Sequence, residues 1–339
     1  MRVSIIGGGG WGLALAKLLA ENSRQVMVWE HDPLFLNSLL QSHSNPALLP
    51  DVLLPPGIRF TGSFSELSDF APQLVILATP SQFLRATLRG IPSQLKETLW
   101  NTDAVKAVVN VAKGIETDSL CTMSEVLQAE LPAALHSRIC VLSGPSHAEE
   151  VARRIPTTVV IAGHDDLLLQ ALQNVFSNAY FRVYRSSDLI GVEIGGAVKN
   201  VISLAAGIIA GLGFGDNTIG ALLTRGLVEI KRLGVALGAR PETFLGLSGI
   251  GDLITTATSL HSRNRYVGFE IGAGRKLRDV VAAMSMVAEG VATTASVREL
   301  AQRKGVEMPI TEQVWQVLYH DKDPRQAITE LMTRELKAE

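Results

Sequence analysis

The 339-residue sequence has only two cysteines, Cys121 and Cys140, and they form no CxxC motif. This scarcity excludes a disulfide scaffold and a cysteine-based zinc site, and it indicates a reducing, cytoplasmic environment. The seven histidines are scattered without metal-ligand spacing, so no metal is expected. The net charge is only −2, which gives no field for attracting nucleic acid or anionic lipid.

Long apolar runs are also missing. The longest one, residues 201–215, is shorter than the roughly 20 residues of a membrane-spanning helix and is flanked by Lys199 and Asp216. We therefore expect a buried core helix and no transmembrane segment. The length exceeds what one core usually holds, which predicts two domains.

The pattern of predicted secondary structure changes near Ser187, and we place a domain boundary there, giving domains 1–187 and 188–339. In the first domain, β-rich runs alternate with helical patterns such as residues 11–22, as a parallel sheet covered by helices requires. The predicted strands are residues 3–6, 26–29, 74–78, 107–111, 138–142, 157–162 and 181–184. The second domain is predicted to be all helical, with helices at residues 189–212, 218–237, 241–247, 277–281, 293–304, 311–319 and 324–335. Fourteen of the thirty glycines lie between residues 188 and 251, which indicates close backbone approach.

A glycine-rich motif, Gly7-Gly8-Gly9-Gly10-Trp11-Gly12, lies between the first predicted strand and the first predicted helix. It fits the G-x-G-x-x-G pattern of dinucleotide-binding sheets. Gly7 permits a tight turn, Gly9 lets a pyrophosphate approach the backbone, and Gly12 allows close packing of helix on strand. The sequence therefore predicts a nicotinamide dinucleotide cofactor.

Glu30 ends the second predicted strand, where a carboxylate commonly binds the adenosine ribose hydroxyl groups. Its charge would repel a 2′-phosphate, so NAD is favoured over NADP. His31 could still face such a phosphate as a hydrogen-bond donor. The alternative is that Glu30 and Asp32 are solvated loop acids.

Four further groups of residues are candidates for the chemistry. Lys113 and the turn Ser143-Gly144-Pro145-Ser146 each follow a predicted parallel strand, and ligands bind at that edge of such sheets. Lys199 lies in an apolar helix, where burial should lower its pKa and make it a credible proton donor. The alternative is that it extends out of the core to solvent. Asp252 is a natural partner for such an ammonium group. The cluster Ser262-Arg263-Asn264-Arg265 suits a phosphate, although it could equally be a surface ion-pair patch.

Taken together, these segments resemble the bacterial-type NAD(P)-dependent glycerol-3-phosphate dehydrogenases from nearly one end of the chain to the other. The motifs that carry the resemblance are Ile6 to Gly12, Ala112-Lys113-Gly114, Leu142 to Ser146, Gly195 to Val201, Gly211 to Asn217, Gly249 to Leu253, Ser262 to Arg265, Val287 to Gly290 and Gly305 to Ile310.

The resemblance implies a Rossmann-type α/β N-terminal domain followed by an all-α C-terminal domain, in the two-domain arrangement of 6-phosphogluconate dehydrogenase, and a homodimer. It implies reversible reduction of dihydroxyacetone phosphate to sn-glycerol 3-phosphate, a precursor of glycerophospholipids. By analogy, Lys199 exchanges a proton with the C2 oxygen, Asp252 orients it, and Lys113 assists.

The resemblance also implies two sets of binding residues. The implied substrate ligands are Lys113, Gly144, Ser146, Lys199, Asn200, Asp252, Ser262, Arg263 and Asn264. The implied cofactor ligands are Gly7, Gly9, Gly10, Trp11, Gly12, Glu30, His31, Lys113, Ala148, Arg263, Val287 and Glu289.

The chain departs from the family pattern at a few positions. Glu30 replaces a residue that is often small, and His147 stands where a phenyl ring is common. Two other functions remain open at this point. A related dehydrogenase of β-hydroxy acids or sugar acids would use a similar lysine, and a nicotinamide-binding sensor would bind the cofactor without turnover.

Overall fold

The computed structural model describes residues 1–284, 286–336 and 338. Eight strands form one sheet in the order β3-β2-β1-β4-β5-β6-β7-β8. They are β1 (Arg2–Ile6), β2 (Gln25–Trp29), β3 (Arg59–Thr61), β4 (Leu74–Leu77), β5 (Ala107–Asn110), β6 (Ile139–Ser143), β7 (Thr157–Ala162) and β8 (Phe181–Ser186). The inner strands are apolar at successive positions because both faces of the sheet are covered.

Helices pack on both faces of the sheet, and the core of this domain therefore consists of two main apolar clusters. The helices are α1 (Gly10–Glu21), α2 (Pro33–Ser42), α3 (Phe64–Asp69), α4 (Leu84–Arg89), α5 (Ser93–Leu99), α6 (Met123–Glu130), α7 (Ala148–Ala152) and α8 (Asp166–Phe176), with 3-10 turns at Ser81–Phe83 and Ala133–Arg138. The N-terminal domain is therefore a Rossmann-type α/β layer structure, as the sequence predicted.

The sheet departs from the expected parallel arrangement at one pair of strands, because β6 and β7 pair antiparallel. The connection between them holds only the five-residue helix α7. The connection spans residues 144–156, about the minimum length for a parallel crossover, and α7 is too short to run along the sheet from one end to the other. The remaining neighbours, including β7 and β8, pair in parallel.

After β8 the described chain is helical. The helices are α9 (Leu189–Gly211), α10 (Asp216–Ala236), α11 (Asp252–Thr258), α12 (Arg263–Gly272), α13 (Leu277–Ala282), α14 (Glu289–Lys304), α15 (Pro309–Tyr319) and α16 (Pro324–Met332), with a 3-10 turn at Pro241–Leu245 and a π-helical turn at Leu247–Gly251. The side chain of Asp188 caps α9 by accepting a hydrogen bond from the Gly191 N–H at 3.0 Å.

Helix α9 is the centre of the helical domain. It is long and apolar enough to cross a membrane, but 89% of its most apolar window is buried among the other elements. This agrees with the prediction of a core helix. Its glycines allow α12 to cross at very short range: a Cβ atom added at Gly207 would lie 2.1 Å from the Arg265 carbonyl oxygen, and one added at Gly268 would lie 2.0 Å from that of Leu204.

Several predicted boundaries shift, and α11, α12 and β3 are among the elements that were not predicted. Strand β6 begins at Ile139 because Arg138 ends a 3-10 turn, and α14 and α15 begin earlier than expected, at Glu289 and Pro309. Helices α11 and α12 and the short edge strand β3 had no strong periodic signal. The polar start of α12 is stabilised by the Ser262 cap and by packing on α9 rather than by an amphipathic pattern.

Candidate functional site

The glycine-rich turn lies at the carboxyl edge of the sheet between β1 and α1. Gly7 has a φ of +115°, in the left-handed region, and an added Cβ would lie 2.7 Å from the Ala78 carbonyl carbon. A Cβ at Gly12 would lie 2.0 Å from the Gly7 carbonyl oxygen, so both positions require glycine. This is the tight strand–turn–helix connection that the motif predicts.

The turn also suits the pyrophosphate of a dinucleotide. A Cβ added at Gly9 would meet no described atom within 4 Å, so this side of the backbone faces open space. Helix α1 begins at Gly10 with no side-chain cap and no acidic residue in its first turn. Its first N–H groups and the positive end of its dipole are therefore available to an anion.

Glu30 lies beside this turn at the end of β2 and is only 4% exposed. Its carboxylate accepts hydrogen bonds from the Gly8 N–H at 3.0 Å and the Asp32 N–H at 2.8 Å, and His31 Nδ1 lies 3.0 Å away. The alternative that Glu30 is a solvated loop acid is therefore wrong. Asp32 instead caps α2. A Cβ at Gly8 would lie 2.6 Å from Glu30 Oε2, which explains why a glycine accompanies this glutamate.

Three charged side chains meet at the same sheet edge. Lys113, which follows β5, donates to Asp252 Oδ2 at 2.8 Å, and Lys199, from α9, donates to Asp252 Oδ1 at 2.9 Å. Lys199 and Asp252 are 5% and 1% exposed. One buried carboxylate therefore bridges an ammonium group from each domain. Lys199 does not extend to solvent, so that alternative is wrong.

The electrostatics of this cluster favour a proton donor that titrates near neutral pH. Burial lowers the pKa of Lys199 to about 8; the Asp252 carboxylate opposes this shift, and the Lys113 ammonium group adds to it. Burial alone would raise the pKa of Asp252, but the two ammonium groups outweigh it and hold the pKa below its ordinary value. Asp252 is therefore ionised while Lys199 can release a proton.

Thr256 completes the surroundings of Lys199, and sequence reasoning missed it. Its hydroxyl group accepts a hydrogen bond from Lys199 Nζ and donates to Asp252 Oδ1 at 3.1 Å. The available signal was its spacing, because a threonine four residues after Asp252 shares the same face of a helix.

The turn after β6 also contacts the Lys113 side chain. Lys113 Nζ donates to the Gly144 carbonyl oxygen at 2.9 Å, and the Ser146 Oγ lies 3.5 Å from it. Ser146 Oγ also donates to the Gly144 carbonyl at 2.8 Å. Ala148 follows this turn and lies against the glycine-rich turn, 3.7 Å from the position of a Cβ on Gly10.

A chain of amide hydrogen bonds joins the predicted polar residues of the helical domain. Asn200 Nδ2 donates to the Lys113 carbonyl at 2.9 Å, and Asn264 Nδ2 donates to Asn200 Oδ1 at 2.9 Å. Asn264 Oδ1 accepts from the Gly290 N–H at 2.9 Å. The hydroxyl group of Ser262 caps α12 by accepting from the Arg265 N–H at 3.2 Å. These contacts fix the backbone of Lys113 relative to α9 and α12.

The remaining predicted residues line the junction of the two domains. Arg263 is exposed and donates to the Val287 carbonyl oxygen at 2.7 Å. The Glu289 carboxylate accepts from the Ser81 N–H at 2.8 Å, across the domains. Trp11 lies in the first turn of α1, and its buried indole N–H has no partner among the described residues. These contacts connect the lysine cluster at the sheet edge to the start of α12 and, through the turn after β6, to the glycine-rich turn.

Comparison with known proteins agrees with this arrangement. Residues 2–168 match the family described as the NAD-dependent glycerol-3-phosphate dehydrogenase N-terminus, and residues 188–329 match its C-terminus. A protein of Syntrophotalea carbinolica named glycerol-3-phosphate dehydrogenase [NAD(P)+] is 48% identical over 340 residues, covering 100% of this chain and 99% of that one. One of Geobacter metallireducens with the same name is 48% identical over 338 residues, covering 100% of this chain and 98% of the other.

The solved structures give the same result. The crystal structure of a glycerol-3-phosphate dehydrogenase from Coxiella burnetii superposes with a TM-score of 0.88 at 32% identity, covering 98% of this chain and 99% of that one. The fold, the order of the motifs and the extent of these matches lead to one conclusion. The chain belongs to the family of NAD-dependent glycerol-3-phosphate dehydrogenases.

Proposed function

We propose that this protein catalyses the reversible, NAD(P)-dependent reduction of dihydroxyacetone phosphate to sn-glycerol 3-phosphate. The observation that carries the proposal is the buried Asp252 carboxylate, which binds Lys113 and Lys199 at 2.8 and 2.9 Å beside the glycine-rich turn. A carbonyl group that becomes an alkoxide needs a positive charge and a proton donor at one point, and this cluster supplies both.

The cofactor would be held along the cleft. Its pyrophosphate fits the open turn, and its ribose hydroxyl groups fit the carboxylate of Glu30, which favours NAD over NADP. The proposed cofactor ligands are Gly7, Gly9, Gly10, Trp11, Gly12, Glu30, His31, Lys113, Ala148, Arg263, Val287 and Glu289. A bound reduced nicotinamide supplies a hydride to the carbonyl carbon of the substrate.

Lys199 is the proposed proton donor in reduction and acceptor in oxidation. Because burial brings its pKa to about 8, both protonation states are accessible near neutral pH. The Asp252 carboxylate favours the protonated form of Lys199, whose positive charge then stabilises the developing charge on the substrate oxygen. Lys113 places a second positive charge near the carbonyl oxygen of the substrate while its ion pair with Asp252 stays intact.

The substrate phosphate would lie at the start of α12. Beyond the guanidinium N–H bound to Val287, the N–H groups of Arg263 have no hydrogen-bond partner among the described residues, and the amide group of Asn264 has a second N–H besides the one given to Asn200. Ser262, Gly144, Ser146 and Asn200 complete the proposed substrate contacts.

We also propose the setting in which the enzyme works. It acts as a cytoplasmic homodimer that supplies sn-glycerol 3-phosphate for glycerophospholipid synthesis, and its domains are residues 1–187 and 188–339. The end of β8 at Ser186 and the capping of α9 by Asp188 support that boundary.

The test is a rate measurement with NADH and with NADPH, each with dihydroxyacetone phosphate. We expect the nicotinamide absorbance to fall with both and faster with NADH. β-Hydroxy acids with NAD serve as the control substrates and should give no reaction. Turnover of a β-hydroxy acid without turnover of dihydroxyacetone phosphate would contradict the proposal, as would cofactor binding without any turnover.

A further inference from the structure

One buried polar group in the cleft has no part in the function proposed above. His147 lies between Ser146, whose hydroxyl group is 3.5 Å from Lys113 Nζ, and Ala148, which contacts the glycine-rich turn beside Gly10. It therefore lies between the lysine cluster and the predicted cofactor site. Its Nε2 atom is buried and has no hydrogen-bond partner in the described part of the chain.

The helical domain encloses the His147 ring. The backbone of Thr255 in α11 lies near the ring, and the next residue, Thr256, binds Lys199. The ring of His261 is tilted by 50° over it at a centroid distance of 5.9 Å. His261 directly precedes Ser262 and Arg263, the proposed phosphate-binding segment. The imidazole of His147 thus lies between the segment that binds Lys199 and the proposed phosphate-binding segment, with its Nε2 atom buried.

The ring is neutral at neutral pH. Burial and the ammonium groups of Lys199 and Lys113 lower the pKa of His147, and the Thr255 backbone and Glu149 only partly oppose them. A neutral imidazole has one donor nitrogen and one acceptor nitrogen. Leaving either nitrogen buried without a partner is unfavourable, which suggests that its partner arrives with a ligand.

The chemistry of the proposed substrate identifies that partner. Its phosphate is assigned to Arg263 and its carbonyl oxygen to Lys199, which leaves the terminal hydroxyl group as the remaining polar group. A hydroxyl group both donates and accepts, so it can pair with Nε2 in either tautomer, whereas a phosphate needs donors only. We propose that His147 is a substrate-contacting residue whose Nε2 forms a hydrogen bond with the terminal hydroxyl group of the three-carbon phosphoester.

This inference rests on the proposed function, and the test separates the two. The catalytic efficiency, kcat/KM, is measured for dihydroxyacetone phosphate and for hydroxyacetone phosphate, which lacks the terminal hydroxyl group, in the native protein and in His147→Phe. A phenyl ring is close to an imidazole in size and shape but forms no such hydrogen bond, so the variant should fold. His164→Phe, on an exposed loop after β7, is the matched control.

We expect His147→Phe to lose about tenfold in kcat/KM for dihydroxyacetone phosphate, the effect of one hydrogen bond, and to change little for the deoxy analogue. The loss should appear in the KM of the substrate and not in that of NADH. His147→Gln, which keeps a hydrogen-bonding group, should recover part of the preference for dihydroxyacetone phosphate. His164→Phe should behave as the native protein does.

Equal losses for both substrates, or no loss for either, would overturn the inference. A rise in the KM for NADH alone would overturn it as well, because His147 would then act on the cofactor. If the native protein turned over neither substrate, the proposed function would fail first. Native turnover of dihydroxyacetone phosphate with an unaffected His147→Phe variant would refute only the role of His147.

Discussion

Replacing Asp252 with asparagine tests how the two lysines are balanced. The amide keeps the size of the carboxylate but removes the charge that Lys113 and Lys199 share at 2.8 and 2.9 Å. Removing one partner of a buried ion pair typically costs about 3–5 kcal/mol. Part of that cost is avoided if Lys199 loses its proton, so the substitution should act mainly on the pKa of Lys199.

The expected shift in the pKa of Lys199 follows from the three main effects that set its present value. The pKa of Lys199 is about 8 with the carboxylate raising it and burial and Lys113 lowering it. Without the carboxylate the pKa falls further, and each unit corresponds to about 1.4 kcal/mol and a tenfold change in the protonated fraction. Because reduction needs protonated Lys199, the Asp252→Asn variant should lose at least about tenfold in kcat near pH 8 and recover part of it at about pH 6.5.

The assay is the pH profile of kcat for reduction of dihydroxyacetone phosphate, from about pH 6.5 to about pH 10, where the native rate should fall above a midpoint near 8. Asp323→Asn is the matched control, because that carboxylate caps α16 away from the cleft. A variant with native activity, or one whose loss is the same at every pH, would refute the assignment of Asp252 as the group that sets the protonation of Lys199.

Three further predictions concern the cofactor, a buried acid and the helix crossing. Glu30→Gln should raise the ratio of kcat/KM for NADPH to that for NADH by about tenfold, since it removes the charge facing a 2′-phosphate; an unchanged ratio would refute that role. Burial raises the pKa of Glu193 to about 7 from 4.5, so its folded form holds a proton that the unfolded chain releases, and stability should fall as pH rises through this window. The free energy of unfolding in urea should fall over this pH range by about 3 kcal/mol in the native protein and much less in Glu193→Gln, which has no proton to lose there. Equal pH slopes for the two proteins would contradict this assignment. Gly268→Ala should destabilise the protein by about 1–3 kcal/mol or more in the same assay, because the new Cβ would lie 2.0 Å from the Leu204 carbonyl oxygen. The control Gly220→Ala, at an exposed position in α10, should stabilise the protein by about 0.5–1 kcal/mol. Equal effects of the two substitutions would contradict the packing argument.

The sequence allowed the main architecture to be predicted because its local signals agree with the tertiary structure. Apolar strand runs mark the buried sheet, and the G-x-G-x-x-G spacing marks the turn before α1. Helix ends follow the same local rules: Asp188 and Asp323 cap their helices, and Gly305 ends α14 in the left-handed conformation. These signals depend on a few neighbouring residues, which is why one sequence suffices.

Other features depend on contacts that sequence spacing does not reveal. Helix α12 is positioned by the close approach of Gly268 to α9, and no local sequence signal shows that β7 runs antiparallel to β6. The lysines were found by type and position, but only the structure shows that both bind the single carboxylate of Asp252. In the sequence His147 is only a departure from the family pattern, and only the structure shows that its Nε2 is buried without a partner among the described residues.

The central claim is that Lys199 transfers the proton at the reacting carbon, and Lys199→Ala tests it most directly. Cofactor affinity, measured by quenching of tryptophan fluorescence, should stay within about twofold of the native value, because the assigned pyrophosphate and ribose contacts remain. Turnover of dihydroxyacetone phosphate should fall by about 10²–10⁴-fold, the usual contribution of a positioned acid. Turnover within about tenfold of the native rate, with the cofactor bound normally, would contradict the account.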